Sequence, residues 1–209
     1  MRIGILGTGN VARALATGWR DAGHDIVLAS RQPAERTHLG FDVVALDEVT
    51  ARADILVNAT PGGVSVDVLE AAGAAGLADT VLVDVGVGLS DDYTLLSHPN
   101  DSLGERIQAA FPRIRVVKTL CTMDSTVMVN PADTLDGPGT VFLSGDSAGA
   151  KEITARLLTD LGWPAGSQLD IGPISSARGQ EHFALLFMGI AHGLGSHVFN
   201  IRVVGRSHS

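Results

Sequence analysis

The amino-acid sequence predicts an α/β protein: a doubly wound, mostly parallel sheet with helices on both faces, followed by a small C-terminal α+β portion. Short β-branched runs alternate with longer helical patterns through the first half, as they do when a parallel sheet is covered on both sides. A glycine-rich turn joins the first of these runs to the first helix. With 209 residues, 45% hydrophobic and 18% charged, the chain is long and apolar enough for one large domain, or one domain with a modest appendage, around a packed core.

The strands are expected at residues 3–6, 25–29, 42–44, 54–59, 80–85 and 115–119, with helices between them. The first helix, residues 10–22, places Val11, Leu15, Gly18 and Trp19 at helical spacing, with Arg13, Arg20 and Asp21 on the other side, and stops at Gly23. Residues 86–102 read as a loop rich in Gly, Ser, Asp and Pro, expected to vary and move. A short helix at 103–111 leads into the sixth strand. A second Pro/Gly/Asp stretch at 130–139 precedes a strand at 140–144. Asp146 or Ser147 then caps a helix whose Ile153, Leu157, Leu158 and Leu161 form a stripe opposite Lys151, Glu152, Arg156 and Asp160, ended by Gly162. The last helix, 176–195, is apolar nearly all round and is expected to be buried in this chain or against a second copy. Residues 198–204 are expected to add a strand.

Charge and composition exclude several functions. Fifteen Lys and Arg against 23 Asp and Glu give a net charge of −8, so there is no field to draw in nucleic acid or an anionic membrane. Mean hydropathy is +0.24, but the longest apolar stretch, 183–195, is interrupted by His192 and falls short of the roughly 20 residues of a membrane span. Cys121 is the single cysteine and has no intrachain disulfide partner. The start of the chain runs into a strand pattern instead of a signal peptide, and the expected location is the cytoplasm. His182, His192, His197 and His208 crowd the final stretch, but their spacing fits no metal motif, so no metal is expected. His182 and His192 either pack the last helix or border a cleft. Lys118, at a strand end, either meets a phosphate or acid or is solvated. Met123 and Met128 fill gaps in a core.

The turn Gly7-Thr8-Gly9-Asn10-Val11-Ala12 carries the most chemistry. Between a strand and a helix it is the Rossmann dinucleotide fingerprint. Gly7 permits the tight turn, Gly9 lets a pyrophosphate approach the backbone, and the N–H groups at the helix start hold the anion. Ala12 replaces the usual third glycine. About 20 residues past the glycines, where NAD enzymes place a carboxylate on the ribose hydroxyl, the chain has Ser30-Arg31. A hydroxyl followed by a guanidinium fork suits a 2′-phosphate, so NADP(H) is the expected cofactor, with Arg36 either a second cation or a solvated arginine. Thr60 and Pro61, after the fourth strand, are candidate contacts to the nicotinamide half, and residues 85–88 lie on the same side.

These residues, together with Val116-Val117-Lys118-Thr119-Leu120-Cys121-Thr122-Met123 and Asp170-Ile171-Gly172-Pro173-Ile174-Ser175-Ser176-Ala177-Arg178, resemble the NADP oxidoreductases that depend on the deazaflavin coenzyme F420. The resemblance spans nearly the whole chain. It implies a Rossmann domain at 1–122, a small portion at 123–209 that completes a second-substrate pocket, and a homodimer. The part after residue 122 is too short for the long helical domain of related imine reductases and hydroxyacid dehydrogenases, and their catalytic lysine on a central helix is missing. The implied reaction is hydride transfer between NADPH and F420, which needs two flat rings held about 3–3.5 Å apart and no proton carrier. No catalytic side chain is therefore assigned. By family position Leu120, Cys121, Thr122 and Met123 lie beneath the rings, with Ser176 and Arg178 as contacts. Cys121 stands where relatives commonly carry Asn or His, a weaker hydrogen-bonding choice. The alternatives are an NADPH-dependent reductase of a flavin, quinone or ferric chelate, and a redox sensor that binds NADPH without turnover.

Overall fold

A computed structural model describes residues 1–90, 92 and 94–205. In chain order the elements are β1 (Arg2–Leu6), α1 (Asn10–Asp21), β2 (Asp25–Ala29), β3 (Asp42–Val44), α2 (Leu46–Arg52), β4 (Ile55–Asn58), α3 (Ser65–Ala71), β5 (Val81–Asp84), α4 (Leu103–Ala110), β6 (Arg115–Thr119), α5 (Ser125–Met128), α6 (Pro131–Thr134), β7 (Val141–Ser144), α7 (Ala148–Asp160), β8 (Gln168–Asp170) and α8 (Ala177–Leu194). They build one 8-stranded sheet in the order β3-β2-β1-β4-β5-β6-β7-β8. Among the described strands of this sheet, only the β6–β7 pairing is antiparallel. From residue 123 onward the chain extends this same sheet.

The period of two along each strand divides the core. Ile3, Ile5, Val57, Val83 and Val117 face α1 and α7, where Leu15, Trp19, Leu157 and Leu158 meet them. Leu6, Leu56, Leu82 and Val116 face the other way, onto Val49, Leu69 and Ile107 of α2, α3 and α4. Trp19 and Trp163 are fully inside, and each satisfies its indole N–H on a carbonyl, Leu157 and Met128 respectively, at 3.0 Å. Gly4 is needed because a Cβ there would lie 2.7 Å from Val49. No helix among the described residues is long and apolar enough to cross a membrane.

Several expectations are corrected and others narrowed. Residues 198–204 form no strand: β7 already has partners on both edges, so the segment is held by single bonds, Thr140 N–H to the Ile201 carbonyl and Val203 N–H to Thr140 Oγ1. The eighth strand is instead Gln168–Asp170. The 130–139 stretch contains a short helix, started by Asn130 in the left-handed region (φ 51°) with Pro131 at its first position. The last helix buries Ala177, Gln180, Glu181, Ala184 and Ala191, while Leu185, Leu186 and Leu194 stay exposed. Ser147, not Asp146, caps α7, accepting from the Ala150 N–H at 3.3 Å; Asp146 accepts from Ile174 N–H instead. In the 86–102 loop a bridge joins Leu89 to Leu96; residues 91 and 93 lie outside the described residues, as does His208.

Candidate active site

Strand order reverses between β1 and β4, since β1 continues toward β2 and β3 on one side and β4 begins the other half. Open α/β sheets bind ligands at the carboxyl ends of such strands. A cleft of about 910 Å³ opens there, a size suited to a cofactor. One wall is the β1–α1 turn, Gly7 to Val11; the far walls are Ala59 to Val64 after β4 and Val85 to Val87 after β5. The other end is bounded by Ser30, Arg31, Gln32 and Arg36.

The local geometry follows from residue type. Gly7 has φ +114°, and a Cβ on it would fall 2.7 Å from the Ala59 carbonyl oxygen. Gly9 caps α1 without a side-chain bond, and a Cβ added there meets nothing within 4 Å. The N–H groups of the first turn are thus left facing the cleft, with the positive end of the helix dipole behind them. Gly62 and Gly88 allow the loops after β4 and β5 to touch, since a Cβ on Gly62 would lie 2.5 Å from Gly88 backbone.

Charge inside the cleft opposes the charge of the chain. Net charge is −8, yet the described lining residues include no Asp or Glu, and its charged side chains are Arg31 and Arg36. The Arg36 Nε is shut off from solvent and has no hydrogen-bond partner among the described residues. An unmet donor beside an exposed guanidinium and a serine hydroxyl fits a bound phosphate.

Of the cofactor residues expected from sequence, Gly7, Thr8, Gly9, Asn10, Val11, Ser30, Arg31, Arg36, Thr60 and Pro61 all line the cleft. Ala12 does not: it is fully buried in the core between helix and sheet. The residues expected beneath the rings lie outside that lining. Leu120, Cys121, Thr122 and Met123 are buried in the turn after β6, with Leu120 at φ 60°. Cys121 Sγ sits 3.8 Å from Gln180 Oε1, and burial pushes its thiol pKa up to about 12 despite the nearby Lys118. Ser176 Oγ lies 3.1 Å from Ser144 Oγ. Arg178 forks onto Glu105 at 2.8 and 2.6 Å, and this hydrogen-bonded pair holds the Glu105 carboxyl below its usual range. His182 is half-buried on α8 and His192 is exposed; neither borders the cleft.

A buried polar rung behind the cleft escaped sequence reading. Register pairs Asn58 with Asp84 and Asp84 with Lys118, so the last residues of β4, β5 and the penultimate one of β6 stand side by side. Lys118 is wholly buried, 2.6 Å from Asp84 and 2.8 Å from Glu181, and donates to the Gly86 carbonyl at 2.5 Å. Burial alone would lower its pKa, but the two carboxylates outweigh burial and hold it above the ordinary lysine range. Glu181 also accepts from the N–H groups of Leu103 and Gly104 at 2.9 and 3.1 Å, at the positive end of α4. Lys118 is therefore the acid-meeting lysine of the two sequence readings. The signal was there: the apolar runs ILVN, VLVD and VVKT each end in a polar group at the same height.

Comparison with known proteins decides the family. Residues 2–88 match the model of the family described as NADP oxidoreductase coenzyme F420-dependent. The crystal structure of a candidate F420-dependent NADP-reductase from Arthrobacter sp. FB24 superposes with a TM-score of 0.92 at 37% identity, covering 98% of this chain and 100% of that one. This chain belongs to that family. Its members are NADP-dependent oxidoreductases, so the chain is an enzyme of that class. The F420-dependent oxidoreductase fold extends further: a reductive aminase from Aspergillus terreus, solved with NADPH4, cyclohexanone and allyl amine, has a TM-score of 0.67 at 17% identity, over 93% of this chain and 62% of that one. Metalloreductase STEAP3 of Rattus norvegicus is 28% identical over 186 residues, 88% of this chain. The oxidoreductase spans only 36% of that relative's length.

Proposed function

We propose that this oxidoreductase holds NADP(H) along the cleft and exchanges hydride with F420 as its second substrate. The observation that carries the nucleotide assignment is the all-cationic cleft in an acidic chain. The α1 first turn and the Gly9 backbone grip the pyrophosphate, while Ser30, Arg31 and Arg36 take the 2′-phosphate by hydrogen bond and ion pair. Family membership favours F420 as the partner. When bound, the nicotinamide supplies the hydride; the chain's part is placement and exclusion of water. Thr60, Pro61, Val85 and Gly86 wall the nicotinamide end, and family resemblance assigns the turn Leu120–Met123, which lies outside that wall, with Ser176 and Arg178, to the second-substrate side. Leu185, Leu186 and Leu194 on the open face of α8 support a homodimer.

A second reading, reduction of a ferric chelate, draws on the name of the rat relative. Anaerobic mixing with NADPH and oxidised F420, followed by absorbance, tests the first reading. Loss of the deazaflavin band together with NADPH is expected. Turnover with a ferric chelate and none with F420 would replace the acceptor. Absence of any NADPH binding would overturn the assignment as a whole.

A further inference from the structure

The buried rung does more than neutralise a lysine: it sets the direction of a hydrogen bond at the cleft wall. Asp84 is surrounded by donors alone, with Lys118 Nζ 2.6 Å from Oδ2 and Asn58 Nδ2 and Gly86 N at 2.8 and 3.1 Å from Oδ1. A carboxylate so placed accepts and never donates. It therefore selects one orientation of the Asn58 amide, NH2 toward Asp84 and oxygen toward Thr60. Asn58 Oδ1 in turn receives the Thr60 hydroxyl at 2.6 Å and the Thr60 N–H at 3.3 Å. The Thr60 proton is spent inward, so what its oxygen retains is lone pairs. Ser65 Oγ, 2.9 Å away, occupies at most one of them, having the Pro61 carbonyl at 3.1 Å as another acceptor. Thr60 lines the cleft at the end opposite Arg31.

We infer that Lys118 and Asp84 are positioning residues that act through Asn58 to lock the Thr60 hydroxyl as a hydrogen-bond acceptor in the cleft, making Thr60 a specificity determinant for a ligand N–H. The inference rests on the nucleotide reading above, in which the nicotinamide end reaches Thr60 and presents the N–H of its carboxamide. A dinucleotide with a carboxylate in place of that amide has no proton to give and sets negative charge against the oxygen. A site built to receive a donor disfavours the analogue that lacks one, because its own polar group, here the half-buried Thr60 hydroxyl, is left unmatched.

The test compares binding of NADP+ and deamido-NADP+, which differ only at the carboxamide, by calorimetry. The native chain is expected to prefer NADP+ by about tenfold or more. In Asp84→Asn the Lys118–Glu181 pair stays charge-balanced, while the new amide lets Asn58 turn either way, so the preference should shrink to about threefold or less with NADP+ itself still bound. Thr60→Val keeps the shape and removes the acceptor; it is expected to lose the preference likewise, and it decides the matter if Asp84→Asn does not fold. A structural role alone would weaken both ligands together and leave their ratio unchanged. Equal affinity of the native chain for the two ligands, or an undiminished ratio in Thr60→Val, overturns the inference and spares the nucleotide assignment. Binding of neither ligand to the native chain overturns that assignment instead.

Discussion

Gly7 and Gly9 share one turn, yet alanine should separate their duties. At Gly9 the backbone is extended (φ −76°, ψ −172°), open to any residue, and an added Cβ meets no atom within 4 Å. Gly9→Ala therefore costs the fold only a poorer helix cap, about 0.5 kcal/mol, or about 1–2 °C in Tm for a chain of this size. The methyl nevertheless projects into the cleft, against the N–H groups that a phosphate needs. Losing one charge-assisted hydrogen bond, about 1.5–3 kcal/mol, weakens NADPH about ten- to a hundredfold. At Gly7 the pattern reverses, because φ is +114° and the Cβ would stand 2.7 Å from a main-chain oxygen. Strain and overlap there cost about 2–4 kcal/mol, a fall in Tm of about 4–16 °C. Scanning calorimetry without nucleotide, then titration with NADPH, reads both effects. A Gly9→Ala protein that melts as early as Gly7→Ala, or that binds NADPH as the native chain does, would refute the reasoning.

Arg31→Ala is expected to weaken NADPH about ten- to a hundredfold and leave NADH nearly unchanged; equal losses in parallel titrations would reject the 2′-phosphate assignment. Lys118→Met strands Asp84 and Glu181 without a countercharge, costing about 3–5 kcal/mol. Thermal melts at neutral pH should show the variant unfolding well below the native chain; an unchanged melting temperature would contradict this. With its pKa pushed up to about 12 by burial, Cys121 is thiolate to roughly one part in ten thousand at pH 8. Mass spectrometry should find it unmodified by iodoacetamide in the native chain and modified after unfolding, and rapid native labelling would disprove the buried placement.

What the sequence made legible was what depends on local chemistry. Strands 25–29, 42–44 and 115–119 fall where their β-branched runs predict, and the Gly7–Gly9 turn with Ser30-Arg31 marks the cleft because glycine freedom and side-chain charge are local properties. Gln168–Asp170 escaped because, unlike the equally short edge strand 42–44 with its two valines, it has no β-branched residue, and residues 198–204 misled because a β-branched run needs a free sheet edge that only topology reveals. The Asn58–Asp84–Lys118 rung was hidden for a related reason. Each member looks like an ordinary strand end until the parallel register sets the three at one height, and Glu181 joins them from a helix distant in sequence.

That last dependence bears on how the chain matures during translation. β6 leaves the ribosome well before α8, so a nascent polypeptide carries the Lys118 ammonium with Asp84 as its sole acidic neighbour from this cluster until the segment bearing Glu181 emerges. The middle of the sheet is finished from a helix translated well after it, and a stall before that point leaves an intermediate whose interior holds an incompletely matched cation, a natural target for chaperone retention.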